Sequence, residues 1–210
     1  MESLLTYQPY LAFLKDIVTI ISLGTASCVA IMGLQTWQEQ LKGTTKYNLA
    51  KRVSKAVDKL RDAVIKVRLQ TWDSAELQDA LKEANLEAKL SDTYYEAKST
   101  DAIFRHRWKE VSATSQDLME EAFEVEALWG QHERETIMSL LKIISSLNED
   151  FSLYIHHLYN PVGIFNAEQA IHLRKRCYRM TSDEEEDEFT FELSSKINSI
   201  KKFTNPYLTK

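Results

Sequence analysis

The sequence predicts an all-α protein, with a single N-terminal transmembrane helix that continues into an antiparallel cytoplasmic helical bundle. Three observations lead there. Residues 17–38 carry no charged side chain. The 210 residues include only 5 Gly and 3 Pro, too few for the many turns of a sandwich or barrel. Beyond residue 48, apolar residues recur at helical spacings of three and four through most of the chain. A composition of 44% hydrophobic and 27% charged residues describes a folded chain, and its length suits one anchored domain.

The uncharged run opens Ile17-Val18-Thr19-Ile20-Ile21-Ser22 and is about 22 residues long. At ~1.5 Å per residue it matches the ~30 Å hydrocarbon core of a bilayer. Tyr10 before it and Trp37 at its far end suit the two membrane interfaces. Lys42, Lys46, Lys51, Arg52 and Lys55 follow the span, whereas only Lys15 precedes it. The excess of positive charge therefore places residues 1–16 outside and residues 39–210 in the cytoplasm. A cleaved signal peptide would have a shorter apolar region. A lipoprotein signal is hinted at by Thr25-Ala26-Ser27-Cys28, but apolar residues continue past Cys28. A buried core helix is the remaining alternative.

Within the span, Thr19, Ser22, Ala26, Ala30 and Gly33 recur at spacings of three and four and share one helix face. Small and weakly polar residues in lipid suit helix–helix packing or a pore lining, but the plainer reading is an ordinary anchor in which they carry no role.

After the span, Ala50, Val53, Val57, Leu60, Val64 and Val67 form a heptad-like seam. The interleaved Lys51, Arg52, Lys55, Lys59, Arg61, Lys66 and Arg68 are expected to meet anionic headgroups. A second helix is expected over 74–98, capped by Asp73 or Ser74. A third spans 101–129 with Gly130 as its stop, and a fourth 132–159, ended by Asn160-Pro161. A basic fifth helix over 167–180 carries Arg174, Lys175, Arg176 and Arg179, and a last helix covers 189–203. Between these two lies an acidic loop at 182–188.

Chemistry is sparse. Cys28 and Cys177 read as unpaired, and no Cys/His cluster suggests a metal or cofactor. The net charge of −5 argues against direct nucleic-acid binding. His156 and His157 follow Asn148, Glu149 and Asp150 by about two turns, so an orienting acid or amide is within helical reach of a general acid/base. Adjacent helical positions point about 100° apart, so the two histidines do not share a metal easily. Ordinary polar histidines near a helix end are the alternative. The sequence holds no phosphate loop, nucleophile elbow or HExxH motif.

One stretch carries a resemblance. Gly33-Leu34-Gln35-Thr36-Trp37, Gln40-Leu41-Lys42-Gly43, Tyr47-Asn48-Leu49-Ala50 and Lys59-Leu60-Arg61-Asp62-Ala63-Val64 resemble the juxtamembrane segment of the small membrane accessory proteins of type VI-B CRISPR loci. The resemblance covers about a quarter of the chain closely and the rest by layout. It implies a divergent HEPN-like domain behind the span. It also implies a homo-oligomer that forms a pore or perturbs the membrane, with an RNA-guided CRISPR effector as functional partner in antiphage defence. Catalytic HEPN ribonucleases carry an Arg, then four to six intervening residues, then a His. Asp150, Phe151 and Ser152 stand at those places before His157, so only the histidine carries over. Three functions follow as expectations: an assembled pore, a membrane-tethered ribonuclease using His157, or a scaffold that recruits a partner through its acidic loop or basic helix.

Overall fold

A computed structural model describes residues 8–86, 93–160, 165–179 and 187–209. Among them are six helices and no strand: α1 (Gln8–Val67), α2 (Ser74–Glu83), α3 (Tyr95–Trp129), α4 (Gln131–Tyr159), α5 (Ala167–Cys177) and α6 (Glu188–Leu208). The all-α expectation holds. Residues 1–47 and 48–210 form two units.

In the first unit, α1 runs unbroken through the uncharged stretch, and every residue of 17–38 is exposed. In the second unit the same helix turns its heptad-like seam inward. Leu49, Ala50, Val53, Val57, Leu60, Val64 and Val67 are all at most 3% exposed. All of these but Ala50 share one core with Val111, Leu118 and Val125 of α3, Leu140, Leu147 and Phe151 of α4, and Leu193, Ile197 and Ile200 of α6. The seam is thus intramolecular core. Truncating any one of these large side chains to alanine costs ~2–5 kcal/mol in a close-packed interior.

Helix boundaries follow local chemistry. The Asp73 carboxylate accepts the Glu76 N–H at 2.6 Å and caps α2. Gly130, at φ 116°, separates α3 from α4 in a conformation that a side chain would strain. Asn166 and Gln169 form a reciprocal capping box at the start of α5. The expected single helix over 74–98 is not formed. α2 stops at Glu83, Asn85 takes φ 51°, the Leu86 N–H donates to the Leu81 carbonyl, and the Asn85 N–H donates to that of Lys82. That is a Schellman C-cap with asparagine in the left-handed position. Ser74 and Lys98 consequently belong to different helices. α5 likewise ends at Cys177, short of 180, whereas α6 runs past Phe203 to Leu208.

A small second core forms where α2 meets α3, from Ala80, Ala102 and Ile103 under Trp72, Leu77 and Leu81. Aromatic rings join α3, α4 and the end of α5: Phe104 stacks on Phe151 at 4.5 Å between centroids, and Tyr178 meets Phe151 edge-on at 5.4 Å.

Candidate functional site

The apolar part of α1 is the first candidate. It is long and apolar enough to cross a membrane, and none of its side chains is buried. Nine large apolar residues between Ile17 and Leu34 stand 40–69% exposed. Its hydroxyls turn onto their own helix: Thr19 Oγ1 donates to the Lys15 carbonyl at 2.8 Å, Thr25 to Ile21 at 2.8 Å, and Ser27 to Leu23 at 2.9 Å. Bonded this way, a hydroxyl in an apolar solvent leaves no donor unpaired. Thr19, Ser22, Ala26, Ala30 and Gly33 are exposed, and a Cβ built on Gly33 would meet nothing within 4 Å. Trp37 is 57% exposed and Lys42 is exposed, whereas Lys46 is half-buried. Tyr10 lies on α1, but its side chain falls outside the described residues.

The histidine pair sits at the end of α4. His156 is exposed, and its carbonyl accepts the Asn160 N–H at 3.0 Å. The His157 ring is half-buried and meets Phe165 edge-on at 5.7 Å, and its Nδ1 is buried without a hydrogen-bond partner. The Asp150 carboxylate does not serve it; Arg176 Nε of α5 donates to Asp150 at 2.8 Å. Asn148 lines a groove between α3 and α4 instead, and Glu149 is exposed. The pairing of His157 with Asp150 that the spacing allowed is therefore not built, which suits the reading of ordinary polar histidines near a helix end.

The acidic and basic segments divide. Residues 180–186 lie outside the described residues. Asp187, expected in a solvated loop, instead caps α6: it accepts the Thr190 N–H at 2.9 Å and Arg68 Nη2 at 3.0 Å. Its carboxyl is held low against the opposing effect of burial, by these two groups.

Two arginines were not legible as structural residues. Arg68, expected among headgroup-facing cations, is 3% exposed. It donates to the carbonyls of Lys175 and Arg176, to Thr190 Oγ1 and to Asp187, with its guanidinium 4.6 Å from the Phe189 ring centroid. Burial lowers its affinity for the proton, and Asp187 counters that. Arg107 is 4% exposed and bonds Glu76 together with the carbonyls of Lys66, Leu69 and Thr71. Of the other cations expected at headgroups, Arg52 pairs with Glu121 and Glu124, Arg61 with Asp58 and Asp62, and Lys66 with Glu110. Lys51, Lys55 and Lys59 are exposed.

Cys28 and Cys177 are both free, the first exposed and the second fully buried, where burial pushes its thiol well up. No group of three or more metal-ligating side chains occurs among the described residues. No family model, curated protein or solved structure matches this chain.

Proposed function

We propose that this chain is a single-pass membrane protein that assembles through its span and perturbs the bilayer, with the helical domain as a non-catalytic assembly module on the cytoplasmic side. The observation that carries the reading is the wholly exposed, uncharged surface of α1 over residues 17–38. Each large apolar side chain left in water forgoes ~1.5–3 kcal/mol of burial, so such a band requires lipid or protein around it. The excess of basic residues after the span supports a cytoplasmic domain, and the resemblance of the juxtamembrane stretch supports a bacterial inner membrane.

Assembly is supported by the small-residue face of Thr19, Ser22, Ala26, Ala30 and Gly33, which is exposed among the described residues. One helix cannot enclose a water-filled path, so a pore needs several copies. A role beside an RNA-guided CRISPR effector rests on the resemblance of the juxtamembrane stretch. The ribonuclease alternative is disfavoured by the commitment of Asp150 to Arg176.

The test is the mass of the full-length protein in detergent by light scattering, corrected for bound detergent, beside flotation with liposomes. The reading expects flotation that resists alkaline extraction and a closed assembly of five or more subunits, about the fewest that can surround a channel. A protein that is monodisperse in water without detergent would remove the membrane reading. One that floats but stays monomeric would remove the pore.

A further inference from the structure

An open cavity of about 540 Å³ lies between α4 and α6. The facing stripes are set by helical spacing: His132, Glu133, Thr136 and Ser139 on α4, and Lys196, Ser199, Lys202 and Phe203 on α6. The membrane reading makes no use of it.

Two of its lining side chains are cations of α6, Lys196 and Lys202, whereas Lys201 between them in sequence is paired with Asp58. Lys196 and Lys202 form no ion pair among the described residues, although Lys196 is half-buried. Glu133 is the acid at the rim, and neither lysine reaches it. Two ammonium groups against one carboxylate leave the concavity with a net positive charge, which concentrates a positive field there.

The remaining polar groups narrow the guest. Thr136, Ser139 and Ser199 donate their hydroxyls to the carbonyls of His132, Thr136 and Ser195. A guest is therefore met chiefly by the lysine N–H donors, which favour a compact, multiply charged anion over a neutral polar molecule. Phe203 adds a half-buried aromatic wall, braced by Trp129 at 5.6 Å between centroids. The volume falls within the ~300–1,000 Å³ typical of small-molecule sites.

We infer that the α4–α6 cavity binds a small phosphate monoester, its phosphoryl oxygens held by Lys196 and Lys202. A nucleotide and a glycerophosphate headgroup offer the same phosphate, and the test separates them. The full-length protein in non-ionic detergent is titrated calorimetrically, at low salt, with AMP, glycerol 3-phosphate and inorganic phosphate. At least one should bind at one per chain. Preference for AMP identifies a nucleotide site, preference for glycerol 3-phosphate a headgroup site, and equal binding a site for the phosphate group alone.

The double variant Lys196→Gln, Lys202→Gln should bind about tenfold more weakly or worse, as expected when charge-assisted hydrogen bonds are lost. Glu133→Gln should bind about threefold more tightly, the scale of one solvent-screened charge removed. All three positions are at the surface or half-exposed, so the variants should unfold at the wild-type midpoint. No heat with any of the three anions overturns the inference. So does binding unchanged in the double variant, or weakened by Glu133→Gln.

Discussion

Arg107 and Glu76 meet through two parallel hydrogen bonds, Nε to Oε1 at 2.7 Å and Nη2 to Oε2 at 2.8 Å. The same guanidinium donates to the carbonyls of Lys66 at 3.0 Å, Leu69 at 2.7 Å and Thr71 at 2.8 Å. A helix leaves its last carbonyls without intrahelical donors. One side chain from α3 therefore finishes the end of α1, orders the turn that follows and pins the first turn of α2. Arg68 does comparable work toward α5 and α6.

Removing that fork should be costly. Arg107→Met leaves Glu76 partly buried without its partner and takes a donor from three carbonyls, of which Lys66 keeps the Leu69 N–H, a loss of ~3–5 kcal/mol. Arg107→Lys should recover only part of it, because an ammonium cannot reproduce the planar two-pronged geometry. Urea unfolding of the full-length protein in detergent, followed by circular dichroism, measures both. A loss below about 1 kcal/mol for the methionine variant would contradict the assignment, since that is the value of an ordinary exposed pair.

The same pair sets an acid dependence. Hydrogen bonding from Arg107 holds the Glu76 carboxyl below its ordinary range, with burial opposing. The folded value is depressed, so the stabilisation is present above the unfolded value of ~4.3 and is lost as pH falls through the folded value. Unfolding midpoints measured from pH 7 downward should decline below about pH 4.5. Glu76→Gln should start from a lower midpoint and show a shallower decline. Parallel curves for the two proteins would mean that other carboxylates carry the acid response.

The two thiols should separate by reactivity. Cys177 is fully buried and its thiol is pushed up, so little reactive thiolate forms there. In the Cys28→Ser protein, N-ethylmaleimide should leave Cys177 unmodified under native conditions and modify it fully in denaturant. Rapid native labelling, read by intact mass, would show that the end of α5 opens far more readily than its packing implies.

Membrane perturbation should depend on the small-residue face. Ser22→Leu and Ala26→Leu widen it where copies of α1 would approach, and should abolish dye leakage from liposomes. Insertion should be unaffected, because leucine favours the bilayer core by about 0.5 kcal/mol. Leakage equal to wild type from equally inserted variants would exclude this face as the seam or lining. His157→Ala in the same assay should leak like wild type, whereas the ribonuclease reading predicts RNA cleavage by the wild-type protein that this variant loses.

Much of the fold was written in local signals. The seam from Ala50 to Val67, the stop at Gly130, the end at Asn160 and the cap at Asp73 each depend on residues within a turn or two of one another. The break after α2 was hidden because asparagine fits a helix interior at modest cost, and only the left-handed Asn85 with Leu86 folded back on Leu81 reveals the cap. Arg68 and Arg107 were illegible for a different reason. Their acceptors are largely main-chain carbonyls, which carry no residue identity, and those on Arg68 lie 107 and 108 positions away. The cavity between α4 and α6 was equally hidden, since Lys196 and Lys202 share a concavity with His132 and Glu133 only once the two helices are packed.

The closure of the core between α1 and α6 has a consequence in time. Ser54 hydrogen-bonds Thr204 across 150 positions, and Lys201 reaches Asp58 across 143. During synthesis the seam of α1 is made early, and one wall of its core is made among the last residues of the domain. At ~5–20 residues per second, that strip of valines and leucines stays uncovered for several seconds on each nascent chain. A ribosome stalled before α6 would hold out a sticky, unfinished helix, so the burden of keeping this protein from aggregating falls on whatever escorts it during translation.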